Sequence, residues 1–453
     1  MANEKRKGGP PVELTPEYIA EQRALREARK KAKREAKAAK GEPIDDQPAF
    51  DLSFVKRPML DIPDTAPYAS GLNVKIMTYN ALAQCLIRRK LFPENGNALK
   101  WKWRGRVLAN EISHYSPDII CMQEIDSDKI DSFWKPELAK IGLETHFMTF
   151  PGKRHGNIIA FNTRMFSLVT QRLVNYDEIE TPGADKQFNT RNTGMLVALK
   201  AKEYEDFGLV LGTSHMFWHP MGSFERTRQL AVFVDKATEF KTHFPNHWPV
   251  LLAGDYNSEC FDTPYLCAST HPLQLTQDAL DILHNSAAHS FAKVKPEEEE
   301  EDDEEEAEEA ADTNEQTEGP SEEDRKQGAQ KVESLLFFYR SLEMQTVSLY
   351  GERYKTVHPE NVHPKSLNGE PFFSNWAHAW RGLLDYIFVL KSKSDTTPNL
   401  RDEIAKNIKV LQLLRIPEPS EMGDEPSGQP REGQYPSDHL CLMAKISLNT
   451  NQS

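Results

Sequence analysis

Residues 250–258 read Val250-Leu251-Leu252-Ala253-Gly254-Asp255-Tyr256-Asn257-Ser258, and this stretch decides the fold class. A short apolar run predicts a buried strand, and the Gly, Asp, Asn and Ser that follow it predict the turn in which the strand ends. Because the sites of α/β proteins collect at such strand ends, Asp255 and Asn257 are candidates for chemistry.

The same arrangement of an apolar strand beside polar residues recurs at five other places. The residues are Asn80, Glu124, His215, Asp385, and the pair Asp438 and His439. One polar residue at a strand end is commonly a turn or a cap. Six such positions together indicate a site for phosphate chemistry, because carboxylates hold hard cations such as Mg²⁺, and amides and imidazoles contact phosphate oxygens.

Short apolar runs alternate with helical stretches along most of the chain. Strands are predicted at 74–78, 119–123, 158–161, 195–199, 209–213, 249–253, 386–390 and 440–446, and helices near 102–115 and 223–240. Some strands are separated by helices and others by hairpin-like links. This pattern favours an α/β fold with mixed sheets.

The acidity of the chain is confined to one segment. Residues 297–330 hold 18 Asp and Glu against Arg325 and Lys326, a balance of −16 within a total of −14. Such a run repels itself and buries little apolar surface, so residues 296–330 are predicted to be a disordered insertion within the domain. The rest of the chain is close to neutral, and the net charge therefore does not exclude a nucleic-acid partner.

Two further segments precede the predicted domain. Residues 1–42 are rich in Lys, Arg and helix formers, which predicts a basic, partly helical arm. It fits an RNA-affinity or nuclear-import segment and equally a plain soluble tail. The prolines of residues 43–70 predict an extended linker, and the domain is expected to span residues 71–448.

The sequence also bears on compartment. No apolar run reaches the ~20 residues that span a bilayer, the N-terminus lacks an apolar signal region, and the five cysteines form no CxxC pair. We therefore expect an intracellular protein of the cytoplasm or nucleus, including the nucleolus, that is neither secreted nor bound to a membrane.

These stretches resemble the endonuclease/exonuclease/phosphatase superfamily. The motifs that carry the resemblance are Thr78-Tyr79-Asn80, Gln123-Glu124, Gly254-Asp255-Tyr256-Asn257-Ser258, Leu384-Asp385-Tyr386-Ile387 and Ser437-Asp438-His439. Within the superfamily, residues 214–220 are similar to a segment of the deadenylase–nocturnin–Angel branch, and residues 432–439 to the ending of fungal Ngl-type RNA exonucleases. The resemblance implies a four-layer αββα sandwich with two mixed β-sheets, like that of DNase I.

The resemblance implies a metal site and a site for the attacking water. Glu124 would be the principal ligand of Mg²⁺, for which Mn²⁺ could substitute, with Asn80 and Asp438 beside it. Asp255 would orient and deprotonate the water, and Asn257 would hold the water or a phosphate oxygen.

Two histidines complete the implied phosphate chemistry. His439, oriented by Asp385, would contact the scissile phosphate and stabilise its developing charge. His215 would be a further phosphate contact. These roles agree with the residue types, because imidazoles suit the anion as carboxylates suit the cation.

The resemblance implies a base-binding side as well. Trp380 and Pro220 would sandwich the terminal base, with Trp218 and Arg381 as further substrate contacts. Stacking suits single-stranded RNA because every base offers a π-face, although Trp380 fits a packed core too. His219 stands on this side, where the branch commonly has Asp.

The predicted function is that of a Mg²⁺-dependent 3′→5′ exoribonuclease, which hydrolyses phosphodiester bonds of single-stranded RNA to 5′-nucleotides. Trimming of 3′ ends in rRNA maturation, as in 5.8S rRNA, is the role that the Ngl resemblance implies. The alternatives are a poly(A)-specific deadenylase, a nucleotide or phosphoinositide phosphatase, and a non-catalytic RNA-binding protein.

The predicted partner is the 3′ end of a single-stranded RNA. The chain has no leucine-rich repeats, so we expect no stable scaffold complex, and we expect a monomer. The acidic insertion is expected to lie clear of the RNA and to be dispensable for chemistry; a role as an electrostatic gate is the alternative.

Overall fold

Two β-sheets packed face to face form the centre of this computed structural model, which describes residues 51–88, 91–93, 95–291, 320–395, 402–422 and 428–451. The strands are β1 (Met59–Asp61), β2 (Gly71–Asn80), β3 (Ile119–Asp126), β4 (Leu143–Met148), β5 (His155–Asn162), β6 (Phe166–Asn175), β7 (Thr193–Ala201), β8 (Gly208–Ser214), β9 (Val250–Asp255), β10 (Met344–Ser348), β11 (Asn375–Ala377), β12 (Trp380–Gly382), β13 (Asp385–Ser392), β14 (Glu403–Ala405), β15 (Ile408–Leu414) and β16 (Leu442–Asn449).

The helices lie mostly on the outer faces of the sheets. In the described part of the chain they are α1 (Trp101–Tyr115), α2 (Lys135–Lys140), α3 (Ser223–Lys241), α4 (Thr263–Ser269), α5 (Gln277–Ala288), α6 (Glu322–Ser341) and α7 (Leu349–Val357). None of these is long and apolar enough to cross a membrane.

Both sheets are mixed, as the sequence predicts. The first has the order β1-β15-β16-β2-β3-β5-β4, with β14 also paired to β15, and the second has the order β10-β13-β9-β8-β7-β6. Strands β2 and β3 are parallel and connected through α1, and β8 and β9 are parallel and connected through α3. Each sheet therefore has one parallel pair whose carboxyl ends lie at one edge.

Alternating side chains fill the space between the sheets. Val74, Ile76 and Ile119 of the first sheet and Leu211 and Leu251 of the second belong to one buried cluster. Successive strand residues point to opposite faces, which places the intervening residues against the helices.

The outer faces complete the four layers. On the first sheet, Tyr79 of β2 donates a hydrogen bond to Glu111 of α1 (2.7 Å). On the second, Leu252 of β9 lies in a buried cluster with Phe233 of α3 and Leu335 of α6. The predicted four-layer αββα sandwich is confirmed.

The predicted boundary of the domain at residue 71 is wrong. Residues 59–61 form β1 on the edge of the first sheet, and the Arg57 side chain is buried, donating to the Cys441 carbonyl oxygen (2.9 Å). The prolines of this segment keep it extended, and an extended segment can add to a sheet edge. The predicted arm at 1–42 lies outside the described residues.

The predicted extent of the acidic insertion is also wrong at its end. Residues 322–330 form the first half of α6. Ser321 caps this helix by accepting from the Asp324 N–H (3.1 Å), while the Asp324 carboxylate accepts from the Ser321 N–H (3.0 Å). Acidic residues in a first turn favour the positive end of the helix dipole, so this charge stabilises a helix here. Residues 292–319 lie outside the described residues.

One buried carboxyl group makes stability depend on pH. Glu370 is fully buried, accepts from the Tyr265 hydroxyl (2.7 Å), and burial raises its pKa to about 7. A raised carboxyl pKa favours the neutral form in the folded state. The stability that this group contributes is therefore present below its unfolded-state pKa of about 4.3 and lost as the pH rises through 7.

We expect Glu370→Gln to raise the free energy of unfolding at pH 8 by on the order of 3 kcal/mol, and by much less at pH 5. Urea unfolding at both pH values measures this difference. The exposed Glu333→Gln is the matched control and should change stability equally little at both. An equal effect of Glu370→Gln at the two pH values would contradict the prediction.

Candidate active site

The candidate site forms where the parallel strands of both sheets end. Asn80 is the last residue of β2 and Asp255 the last of β9, while His215 directly follows β8 and pairs with Asp255 through a parallel bridge. A Cβ on Gly254 would lie 2.4 Å from the Ser214 carbonyl oxygen. Only glycine therefore lets β8 and β9 approach so closely, and the Gly-Asp pair brings His215 beside Asp255.

Glu124 lies at a bulge within β3, which continues to Asp126 rather than ending at residue 123 as predicted. The pairing of β3 with β5 shifts between Met122 and Ile125, and Glu124 has a φ of 53°. A non-glycine residue adopts this left-handed conformation only where the surroundings hold it there. The Glu124 Oε2 atom accepts from the Ala83 N–H (3.0 Å), so the bulge and this bond fix the carboxylate.

Asn80 bridges the two carboxylates. Its Nδ2 donates to Glu124 Oε1 and to Asp255 Oδ2, both at 2.8 Å, and its Oδ1 accepts from the Leu82 N–H (3.0 Å). The amide therefore joins the first sheet to the second. In this arrangement the side-chain oxygen of Asn80 faces the backbone and is not available to a metal ion. Asn80 therefore orients the two carboxylates and is not itself a ligand.

A buried His–Asp pair stands opposite this bridge. His439 Nδ1 donates to Asp385 Oδ2 (2.8 Å), and its Nε2 lies 3.6 Å from Asp255 Oδ2. Burial alone would lower the pKa of His439, but the charges of Asp385 and Asp255 raise it well above its usual range. Ser374 holds the pair by donating to Asp385 Oδ2 (2.7 Å). The two neighbouring carboxylates thus favour the protonated form of the His439 ring.

Asp255 is the point at which the groups of both sheets meet. Besides Asn80, it faces His215 Nε2 at 3.7 Å, and its Oδ1 accepts from the Asn257 N–H (2.9 Å). Asn257 has a φ of 48°, which asparagine tolerates, and its Nδ2 donates to the Met216 carbonyl oxygen (2.9 Å). Burial raises the pKa of Asp255, which the neighbouring histidines oppose.

The side chains present fit a divalent cation. Glu124, His215 and Asp255 offer ligand atoms that all lie within 4.8 Å of one another. Burial and the negative charge of Asp438 raise the pKa of Glu124 to about 7. A carboxyl group whose pKa is raised by a neighbouring carboxylate lies in a region of negative charge that a cation would neutralise.

Two supporting residues are not evident from the sequence. Arg104 of α1 is fully buried; its Nε donates to the Pro436 carbonyl oxygen (2.7 Å), and its Nη2 donates to the carbonyl oxygen of Ala81. The Ser437 hydroxyl donates to the Asn80 carbonyl oxygen (2.8 Å). Together they tie the chain before Asp438 to the end of β2.

A polar notch beside His215 extends the site. Its lining includes Lys153, His155, Arg191 and His215, and the ring centroids of the two histidines are 6.4 Å apart. Such a cluster of cationic and imidazole groups suits phosphate oxygens. His155 and Arg191 are not among the site residues predicted from the sequence.

Trp380 projects from the hairpin of β11 and β12, with 49% of its surface exposed. This hairpin is fastened to the site, because the Trp376 N–H donates to the Asp438 carbonyl oxygen (2.7 Å). The Arg381 guanidinium lies over the Trp376 ring, 4.8 Å from its centroid. Exposure at this place favours stacking over core packing for Trp380, whereas Arg381 packs within the hairpin.

Glu259 lies next to the Trp380 ring and was not singled out from the sequence. A Cβ on Gly382 would lie 2.3 Å from Glu259 Oε1 and 2.5 Å from the six-membered ring of Trp380. The other carboxylate oxygen accepts from the Leu383 N–H (3.1 Å). Burial raises the pKa of Glu259 to about 7. The Glu259 carboxyl group therefore provides a hydrogen-bond acceptor near the exposed indole of Trp380.

The second base-side segment follows His215. Trp218 and Pro220 are exposed, and the buried Arg226 holds their loop by donating to the carbonyl oxygens of Phe217 (3.1 Å) and Pro220 (3.4 Å). His219 stacks on Phe217 with ring centroids 6.1 Å apart. Burial lowers the pKa of His219, so a neutral ring stands where the branch commonly has Asp.

Comparison with known proteins places this geometry in a family. The model of the Endonuclease/Exonuclease/phosphatase family matches residues 77–439. The chain belongs to this family. The match confirms both the family inferred from the motifs and a hydrolytic enzyme class.

Relatives within the family are similar over nearly their whole length. The chain is 40% identical to "Probable RNA exonuclease C9B6.11c" of Schizosaccharomyces pombe, with 98% of this chain and 91% of that protein covered. It is 38% identical to "RNA exonuclease NGL2" of Saccharomyces cerevisiae, with 96% and 89% covered. The predicted likeness to fungal Ngl-type proteins is confirmed.

Solved structures of the family show the same fold. The ANGEL2 structure aligns with a TM-score of 0.55 at 19% identity, covering 87% of this chain and 99% of that chain. The human Nocturnin catalytic domain aligns with a TM-score of 0.50 at 18% identity, covering 86% and 97%. The deadenylase–nocturnin–Angel branch therefore shares this sandwich.

Proposed function

We propose that this chain is a Mg²⁺-dependent 3′→5′ exoribonuclease that releases 5′-nucleotides from single-stranded RNA. The similarity over nearly the full length to fungal proteins named RNA exonucleases is the observation that carries the proposal. The site supports it, because carboxylates, a His–Asp pair and an exposed indole lie near the ends of the parallel strands.

In this proposal Glu124, with Asp438 beside it, would hold the cation, which would supply Lewis-acid stabilisation of the charge on the scissile phosphate. Asp255 accepts the proton of the attacking water, for which its position between Asn80 and two histidines suits it. His439 stabilises the charge that develops on the phosphate, since Asp385 keeps its ring oriented and cationic. Asn257 and His215 contact the remaining oxygens.

An RNA shortening assay tests this activity. Purified protein is incubated with 5′-labelled single-stranded RNA, with Mg²⁺ or with EDTA, beside a circular RNA of the same sequence. We expect stepwise shortening from the 3′ end only in Mg²⁺, and no cleavage of the circle. Release of inorganic phosphate from a nucleotide or an inositol phosphate, without RNA shortening, would refute the proposal and favour a phosphatase.

The RNA that the enzyme acts on is a separate part of the proposal. We infer trimming of rRNA 3′ ends, such as that of 5.8S rRNA, with poly(A) shortening as the alternative. Rates on a 3′-extended 5.8S fragment and on an oligo(A) tail of equal length decide between them. A faster rate on the oligo(A) tail would reject the rRNA role.

The exposed Trp380 makes a measurable contribution to binding in this proposal. We expect Trp380→Ala to weaken RNA affinity by about 1–3 kcal/mol, roughly five- to 150-fold, because one stacked base loses its aromatic partner. Trp380→Phe should retain most of the affinity. Phe337→Ala, on the exposed face of α6, is the matched control and should bind RNA like the wild type. Filter binding in Ca²⁺ measures affinity without turnover.

A further inference from the structure

A second group of side chains with metal-ligand chemistry lies outside the catalytic one. His358 follows helix α7, Glu360 belongs to the turn at Pro359–Asn361, and Glu418 precedes the turn at Pro419–Met422. One His nitrogen and one oxygen of each carboxylate all lie within 4.8 Å of one another. No catalytic or RNA-binding role assigned above uses these residues.

The state of His358 distinguishes this group from an ordinary acidic surface. Its side chain is buried, with 2% of the residue exposed, yet its Nε2 makes no hydrogen bond. This nitrogen points at the carboxylates, 3.4 Å from Glu360 Oε1 and 4.0 Å from Glu418 Oε1. A buried nitrogen without a hydrogen bond is costly, so its persistence points to a ligand.

The opposite ring nitrogen fixes the imidazole. Nδ1 of His358 is 2.7 Å from the Tyr354 hydroxyl, which also accepts from the Ile416 N–H (3.0 Å). Histidines that bind metals are oriented in this way by a partner on their other nitrogen.

The distances and the ligand types favour zinc. Tetrahedral Zn²⁺ with bonds of about 2.0–2.1 Å places its ligand atoms about 3.4 Å apart. The pair His358 and Glu360 already has this spacing, and Glu418 Oε1 lies 4.0 Å from His358 Nε2 on an exposed side chain that can move closer. An imidazole ligand suits Zn²⁺, whereas Mg²⁺ favours oxygen alone.

The surrounding charges are compatible with a cation. Glu421 adds a third carboxylate, and it holds Arg415 through two contacts of 3.0 and 2.7 Å. Arg415 lies farther from Glu418, at 3.7 Å. The arginine is therefore occupied mainly by Glu421, which leaves Glu360 and Glu418 facing the imidazole.

We propose that His358, Glu360 and Glu418 bind one Zn²⁺ ion, with water as the fourth ligand, and that this ion fastens the turn at 359–361 to the segment at 416–422. Hydrogen bonds from Asn361 Nδ2 to the carbonyl oxygens of Ile416 (2.9 Å) and Pro417 (3.2 Å) already align the two segments. The ion therefore needs little rearrangement to bind, and its role is structural.

Calorimetric titration of the full chain with Zn²⁺ in excess Mg²⁺ tests the site, because Mg²⁺ competes at oxygen-rich sites and poorly at a histidine. The variant Glu360→Gln/Glu418→Gln changes two exposed side chains, 60% and 44% exposed, so folding should be retained. We expect it to bind one Zn²⁺ fewer than the wild type, or to bind that ion more than about 100-fold more weakly. Zn²⁺ should raise the melting temperature of the wild type more than that of this variant.

The exposed pair Glu333→Gln/Glu343→Gln removes the same charge elsewhere and should bind Zn²⁺ like the wild type. Circular dichroism of each sample establishes that the fold is intact. Co²⁺ added in place of Zn²⁺ should give the intense visible absorption of a tetrahedral site in the wild type and in Glu333→Gln/Glu343→Gln, but not in Glu360→Gln/Glu418→Gln. A wild type without this zinc ion, or equal zinc binding by the wild type and the Glu360/Glu418 variant, would overturn the proposal.

Discussion

Replacement of Asp255 by Asn should lower the rate of RNA hydrolysis by about three orders of magnitude, within the range that general acid–base catalysis contributes. Asp255 Oδ2 lies 2.8 Å from Asn80 Nδ2 and within 3.7 Å of two imidazoles, so it is the carboxylate on which both sheets converge. Asparagine keeps the shape of the side chain and has no oxygen that accepts a proton at neutral pH. Single-turnover cleavage at saturating Mg²⁺ measures the chemical step directly.

Asp118→Asn is the matched control for this change. Asp118 is a part-buried carboxylate next to the opposite end of β3, where it accepts from the Lys75 N–H (2.9 Å). The same charge is removed from the same sandwich but far along the strand from the site, so the single-turnover rate should stay within about twofold of the wild type. If Asp255→Asn retained more than a tenth of the wild-type rate, another group would have to accept the proton.

The sequence predicts that the site residues lie close together, because their proximity depends on strand direction. The strands of two parallel pairs carry four site residues at or near their carboxyl ends, which meet at one edge: Asn80, Glu124, His215 and Asp255. A short motif beside each strand is therefore enough to place its residue. Strand direction does not predict where the individual atoms of a side chain point. The sequence therefore predicts Asn80 beside the metal, although its side-chain oxygen faces the Leu82 N–H.

The groups that support the site were hidden because their partners are backbone atoms. Arg104 stands in a helix that begins Trp-Lys-Trp and reads as an exposed cation, yet it is buried because carbonyl oxygens of two loops need a donor. Ser374 reaches Asp385 from a segment whose sequence has no motif. The bulge at Glu124 escaped prediction as well, since apolar periodicity does not report one inserted residue.

The two errors in segment boundaries have a shared cause. Composition predicted that residues 52–70 and 320–330 stay apart from the domain, because one is rich in proline and the other in acid. Tertiary contacts decided otherwise. Phe54 and Ile62 of the first segment are buried, and Val332 and Leu335 of α6 pack against neighbouring elements. The burial of these apolar residues keeps the adjoining polar residues within the folded domain.

Asp385→Asn should lower turnover by about two to three orders of magnitude, the loss expected when one preorganised charge at the reacting phosphate is removed. The Asp385 Oδ1 atom is buried and makes no hydrogen bond, so the new NH₂ group can take that position while the amide oxygen still accepts from His439 Nδ1. The substitution thus keeps the hydrogen bond and removes the negative charge that raises the pKa of His439 most. Turnover should fall through kcat, with RNA affinity nearly unchanged.

Ser374→Ala separates orientation from charge at the same pair. It removes the 2.7 Å hydrogen bond to Asp385 Oδ2 and leaves both charges in place. The value of kcat should therefore fall only about tenfold, which is the lower end of the effect of a hydrogen bond to a charged group, about 1.5 kcal/mol. When the two variants are measured side by side, the kcat of Asp385→Asn should be far below that of Ser374→Ala. Equal losses would mean that the ring position alone matters, and wild-type kcat in Asp385→Asn would remove His439 from the list of charged groups at the phosphate.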